Sequence, residues 1–191
     1  MAIEFRKVSK TFDSKLVLDR FDWRAPERGI VCLFAPSGSG KTTLLRMIAG
    51  LEKPDGGQLF DLPGRVSFHF QENRLLPWCT ASENLAMVTD APERWLEWVG
   101  LGGEGRRYPR ELSGGMQRRV AFARALAYEA DVLLLDEPFK EVDPGNRDRM
   151  MDLVRRQTGR KLIVWVTHNL EEAQALSDRV DRFSGPPLRP L

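Results

Sequence analysis

One stretch restricts the possible folds more than any other. The apolar run GIVCLF (29–34) passes directly into APSGSGKTT (35–43) and then into LLRMIAGL (44–51). A strand that is apolar throughout has no solvent face, so it belongs inside a sheet covered on both sides. A glycine-rich loop that opens a helix aims backbone N–H groups outward at the helix's positive end, which makes a seat for phosphate. Strand, loop and helix in this order predict an α/β fold built on a mainly parallel sheet. In such a loop Ser37, Gly38, Ser39, Gly40 and Thr43 wrap a polyphosphate, Lys41 reaches the β- and γ-phosphates, and Thr42 ligates Mg²⁺. Ala35 stands where the pattern has its first glycine; if that site needs positive φ, alanine costs roughly 1 kcal/mol.

The rest of the chain alternates strands and helices. IEFRKV and KLVLDRFDW read as an antiparallel pair ahead of the buried strand, and Gly56-Gly57 marks short antiparallel strands after the first helix. RVSFHF (65–70) is a further strand, ending at Gln71. From about 76 to 127 the pattern becomes helical. Thr80 and Glu83 form a capping box, and Trp95, Leu96, Trp98 and Val99 recur at helical spacing, the two tryptophans reading as core. A third helix starts at Ser113. VLLL, a helix after Asp143-Pro144, the strand KLIVWVTH and the helix NLEEAQALSD follow, and the proline-rich tail SGPPLRPL reads as frayed.

Two further clusters carry chemistry. The strand VLLL delivers Asp136 and Glu137 at its carboxyl end, where α/β sheets bind ligands. Asp136 is placed to hold Mg²⁺ through its water shell, and Glu137 is the candidate base for an attacking water. Ser113, Gly114 and Gly115 open the helix MQRRVAFARALA, an arrangement that serves equally as an anion site or as an ordinary helix cap.

The order APSGSGKTT, LSGGMQ (112–117), DVLLLDEP (131–138) resembles the ATP-binding subunits of ABC transporters over nearly the whole chain. That resemblance implies one ABC ATPase domain over residues 1–191, with a P-loop core, an antiparallel β edge and a helical insert subdomain. It implies ATP and Mg²⁺ as ligands. It also implies a homodimer that closes face to face when ATP binds, with Ser113, Gly114, Gly115 and Gln117 of each copy capping ATP held on the other. Gln71 then senses Mg²⁺ and the attacking water, and His168 is the switch histidine that contacts the γ-phosphate. Asp143 belongs to the loop that communicates across the dimer, although Lys140 and Glu141 replace the usual small residues before it. Phe12 takes the place of the aromatic that stacks on adenine. Each of these also has a plainer reading: Asp143 as an N-cap before Pro144, Phe12 as core, His168 as a structural histidine, Gln71 as a surface polar residue. The segment ENRLLPW after Gln71 is similar to that of importer ATPases of the nitrate, sulfonate and taurine type, where it touches the membrane permease; Leu75, Leu76 and Trp78 supply apolar side chains for such a contact. A solute-binding protein is then an indirect partner, and the subunit sits in the cytoplasm, peripheral on the inner face of the membrane.

Composition agrees with this and excludes several classes. A net charge of +2 gives no electrostatic case for nucleic acid. Two cysteines in unrelated contexts, Cys32 and Cys79, read as reduced thiols. No stretch approaches the length of a membrane span, so any membrane link runs through a partner. A soluble ABC-type ATPase acting on DNA or ribosomes is disfavoured by the lack of heptads or duplication. A non-hydrolysing regulatory subunit has only Ala35 in its favour.

Overall fold

The computed structural model describes residues 2–157, 159 and 161–191. Its centre is a six-stranded sheet in the order β5 (Val66–His69), β6 (Val132–Asp136), β7 (Leu162–Thr167), β3 (Gly29–Phe34), β8 (Arg179–Ser184) and β9 (Arg189–Pro190). All neighbours are parallel except β9, which runs antiparallel to β8. Side chains of the three middle strands alternate between two cores. Ile30, Cys32, Leu133, Leu135, Ile163 and Trp165 face one side, while Val31, Leu33, Leu134, Val164 and Val166 face the other. This is why these strands read as unbroken apolar runs rather than as alternating ones. Burial pushes the Cys32 thiol up to about 12, so it behaves as a small apolar residue.

The second core is closed by an antiparallel sheet, β2 (Lys15–Arg24), β1 (Glu4–Phe12) and β4 (Gly56–Phe60), together with α1 (Lys41–Ile48). Phe5 anchors it, with Phe21 and Trp23 edge-on at 6.3 and 5.7 Å between ring centres. The first core is closed by α2 (Ala81–Ala86), α3 (Pro92–Trp98), α4 (Gly114–Ala127), α5 (Pro144–Arg155) and α6 (Leu170–Leu176). α2 starts with the predicted capping box between Thr80 and Glu83. Asn84, fully buried on α2, gathers the preceding loop: its Nδ2 donates to the carbonyls of Leu76, Cys79 and Thr80, and its Oδ1 accepts from the Leu76 N–H.

The structure corrects three expectations. Trp95 and Trp98 are half-buried rather than core; they meet edge-on at 4.8 Å, and the fully buried residues of α3 and its end are Leu96 and Val99. Of the apolar residues after Gln71, Leu75 and Leu76 are half-buried and only Trp78, 71% exposed, stands clear. The C-terminal tail is ordered. Leu188 is buried in the second core, its N–H donates to the Val17 carbonyl at 2.9 Å, and residues 189–190 pair with β8. The proline content concealed a single apolar anchor that holds the segment against β2. Leu188→Ala should therefore cost about 2–5 kcal/mol, read as a lower denaturation midpoint with an unchanged slope in urea; a change below about 0.5 kcal/mol would show that the tail is not anchored.

Candidate active site

The carboxyl ends of β5, β6, β7 and β3 converge at one edge of the sheet, and each delivers one element of the site: Gln71 after β5, Asp136 and Glu137 after β6, His168 after β7, and the glycine-rich loop after β3. They enclose a cavity of about 380 Å³ lined by Ser37, Gly38, Gly40, Lys41, Thr42, Thr43, Gln71, Asp136, Glu137, His168, Val17 and Lys140. Four separate segments of sequence thus meet where open α/β sheets bind ligands.

The loop has the form an anion seat requires. Gly38 and Gly40 have φ of +74° and +110°, and a β-carbon on Gly40 would come within 2.5 Å of Val17 Cγ1, so only glycine fits there. α1 begins at Lys41 with no acidic residue in its first turn and no side-chain cap, which leaves its first N–H groups for a bound anion. Ala35 has ordinary backbone geometry and is buried, so its replacement of glycine carries no strain. The Lys41 ammonium donates to the carbonyls of Ala35 and Pro36 at 2.7 and 2.8 Å. Burial pulls its pKa below the ordinary lysine value, against the opposing charges of Glu137 and Asp136.

The acidic pair opposite has two distinct environments. Asp136 is 3% exposed, and burial raises its pKa; a hydrogen bond with Thr42 opposes that rise and the charge of Glu137 adds to it. A hard divalent cation favours oxygen donors of this kind, and Asp136 with the Thr42 hydroxyl fits Mg²⁺ completed by phosphate oxygens and water. Among the described residues no cluster of three or more His, Cys, Asp or Glu could hold a metal on its own. Glu137 leaves the strand at φ +46°, its N–H donating to the Val166 carbonyl at 3.1 Å, and its Oε1 lies 3.2 Å from His168 Nδ1. Both side chains line the cavity.

Seven expected site residues do not line this cavity. Phe12 lies at the end of β1, 38% exposed, beneath the Lys10 ammonium. Ser39 is fully buried, its hydroxyl without a partner among the described residues and its N–H turned to the Pro36 carbonyl. Ser113 caps α4, accepting from the Met116 N–H, and Gln117 Nε2 donates to the carbonyls of Pro109 and Leu112. Gly114 and Gly115 face open space, since a β-carbon on either would meet nothing within 4 Å. Asp143 caps α5 through Asn146, whose hydrogen bonds lower its pKa. A larger cavity, about 530 Å³ and lined by Trp95, Trp98 and Tyr128, contains none of the expected residues.

Sequence reasoning missed the arginines of α4. Arg118 donates to the carbonyls of Lys140 and Gln71, at 2.5 and 3.3 Å, and Arg124 to those of Arg74 and the Asn84 side chain. Arg119 donates to the carbonyls of Val99 and Gly100 and to Asn146. The run RRVAFAR showed only basic residues on a helix; their carbonyl partners depend on the tertiary fold.

A phosphate seat at the carboxyl ends of parallel strands, faced by an acidic pair of which Asp136 is buried, defines a P-loop nucleotide triphosphatase. The sequence profile of the ABC transporter family matches residues 18–140. The aliphatic sulfonates import ATP-binding protein SsuB 1 of Pseudomonas savastanoi pv. phaseolicola is 45% identical over 90% of this chain and 76% of its own length. SsuB 3 of Paraburkholderia xenovorans is 42% identical over 94% of this chain and 76% of its own. Among solved structures, a dimeric ATP-binding cassette in a post-hydrolysis state, bound to ADP and Pi, superposes with a TM-score of 0.84 at 26% identity, covering 99% of this chain and 98% of that one. The chain belongs to the ABC transporter family, within its ABC ATPases.

A buried carboxylate whose folded pKa is raised stabilises the fold fully only below the unfolded value, and that contribution is lost as pH rises through the folded pKa. At neutral pH the Asp136 carboxylate is therefore a stability cost. Asp136→Asn should raise the melting temperature by about 2–4 °C at pH 7, roughly 1 kcal/mol, while abolishing ATP hydrolysis. The gain should shrink as pH falls into the carboxylate range. Equal or lower stability at pH 7 would contradict the environment described for Asp136.

Proposed function

We propose that this chain is the ATP-binding and ATP-hydrolysing subunit of an ABC importer for a small solute, and that residues 1–191 act as one ABC ATPase domain with a helical insert at about 76–127. The names of its relatives favour an aliphatic sulfonate as that solute. Two copies close on ATP, the Ser113 turn of each completing the site of the other. One observation carries this reading: Gly114 and Gly115 have open space around them and lie outside the chain's own cavity. Nothing in the chain's own packing requires glycine there, whereas close approach of a second copy's phosphate does.

The loop N–H groups and Lys41 hold the polyphosphate, and Phe12 stacks on the base from the end of β1. Thr42 and Asp136, with Gln71 alongside, would hold Mg²⁺, which would neutralise phosphate charge. Glu137 accepts a proton from the attacking water, and His168, beside it, steadies that carboxylate and the terminal phosphoryl group. Asp143 caps α5 and faces the second copy. Little bond-making falls to the protein; it positions charge around the transferred group.

Among the described residues no helix is long and apolar enough to cross a membrane. Docking on a permease places the subunit at the inner face of the cell membrane, with a solute-binding protein acting only through that permease. Trp78, held out by the loop that Asn84 gathers, is the contact. Trp78→Glu should release the subunit from permease-containing membranes and leave ATP affinity within about twofold; full retention on the membrane would place the contact elsewhere.

Glu137→Gln tests the mechanism. Glutamine keeps the size of glutamate but neither charge nor basicity. Hydrolysis should fall by roughly 10²–10⁴-fold while Mg-ATP binding persists, and size-exclusion chromatography with ATP should show a dimer where the wild type is mostly monomeric. Near-normal hydrolysis would remove Glu137 from the role of base. A variant that stays monomeric with ATP and permease present would defeat the two-copy arrangement.

A further inference from the structure

The turn that leaves β6 carries a lysine at an unusual place. Phe139 is buried against Phe122 and Trp165, with ring centres 6.3 and 5.5 Å away, and so anchors the turn in the first core. The Lys140 N–H donates to the Glu137 carbonyl at 3.3 Å, and its own carbonyl accepts from Arg118. Glu141 then reverses the chain at φ +59°. The backbone of Lys140 is thus held from both sides, and the residue lines the cavity next to Glu137 and to Gln71, whose carbonyl shares Arg118 with its own. Among the described residues its ammonium makes no hydrogen bond or ion pair.

Charge balance gives that ammonium a task. The cavity's permanent charges are Lys41, Lys140, Asp136 and Glu137. Without Lys140 the protein's own charges in the cavity sum to −1, before the divalent cation that Asp136 and Thr42 would hold. Lys41 is committed to the loop side, against the carbonyls of Ala35 and Pro36. Among the described residues that line the cavity, Lys140 is the one other lysine or arginine, and it stands beside Glu137. An ammonium on a long flexible stem suits a phosphate oxygen as a point charge.

We propose that Lys140 is a second phosphate-directed cation of this site, contacting the terminal phosphoryl group of ATP and so favouring ATP over ADP. This rests on the reading of the cavity as the ATP site. Its position beside Glu137, rather than on the loop, assigns it to the end of the polyphosphate that reacts.

Equilibrium binding of Mg-ATP and Mg-ADP to the isolated subunit tests it, using wild type, Lys140→Met, Lys140→Arg and Lys41→Ala. Methionine at 140 should weaken ATP about tenfold and ADP by less than about twofold, and arginine should restore most of the ATP affinity. Unchanged ATP affinity in Lys140→Met, or equal losses of ATP and ADP, would overturn the assignment of Lys140. Lys41→Ala separates that failure from failure of the site reading. If Lys41→Ala loses both nucleotides while Lys140→Met loses neither, the ATP site stands and only the Lys140 contact falls. If wild type and Lys41→Ala bind ATP alike, the reading of the cavity falls and the Lys140 contact falls with it.

Discussion

Everything in this structure follows from a sheet whose middle strands are buried on both faces. Strands β3, β6 and β7 give alternate side chains to two separate apolar cores and have no face left for a polar group. Chemistry can then reside only where the strands end. The carboxyl ends receive the helix that starts at Lys41, the acids at 136 and 137 and the histidine at 168, so the groups that line the cavity are held by the central strands. Sites held by such elements keep their geometry better than sites on free loops.

The same arrangement makes the site expensive in free energy. Asp136 and Lys41 are both buried, each with a pKa shifted toward its neutral form. Neither has the other as a full ion-pair partner; Lys41 is turned to two carbonyls, and Asp136 to the Thr42 hydroxyl. A polyphosphate with a divalent cation matches both groups at once, so binding relieves a mismatch that the folded chain otherwise sustains. Stability and function pull in opposite directions at these two positions.

Much of this was legible before any coordinates. The strand–loop–helix unit at 29–51 announced itself because three local signals agree there: apolar continuity, glycine where positive φ is needed, and a helix start. The order of strands and helices followed from the same kind of evidence. Where sequence reasoning fell short, the reason was non-local. The tail was read as frayed because its prolines were visible and the groove that takes Leu188 was not. Trp95 and Trp98 share helical spacing with Leu96 and Val99, and only the direction of approach of the neighbouring helices separates half-buried from buried. Asn84, the Val17 contact with Gly40 and the carbonyl partners of Arg118 pair residues from different elements, which no window along the chain contains.

α4 spans the distance between two parts of the surface. Its first turn is the open Ser113–Gly115 end, and one turn further along Arg118 grips the carbonyls of Gln71 and Lys140, both on the cavity wall. On the two-copy reading proposed above, a single rod would join the surface that meets the second copy to the cavity residues Gln71 and Lys140. Free-energy coupling between two sites is reciprocal. Whatever shifts the rod when a second copy engages its tip must alter the hold on nucleotide at its flank, and the reverse. In the two-copy arrangement proposed above, each rod would touch one nucleotide at its tip and another at its flank, which would close the linkage into a ring.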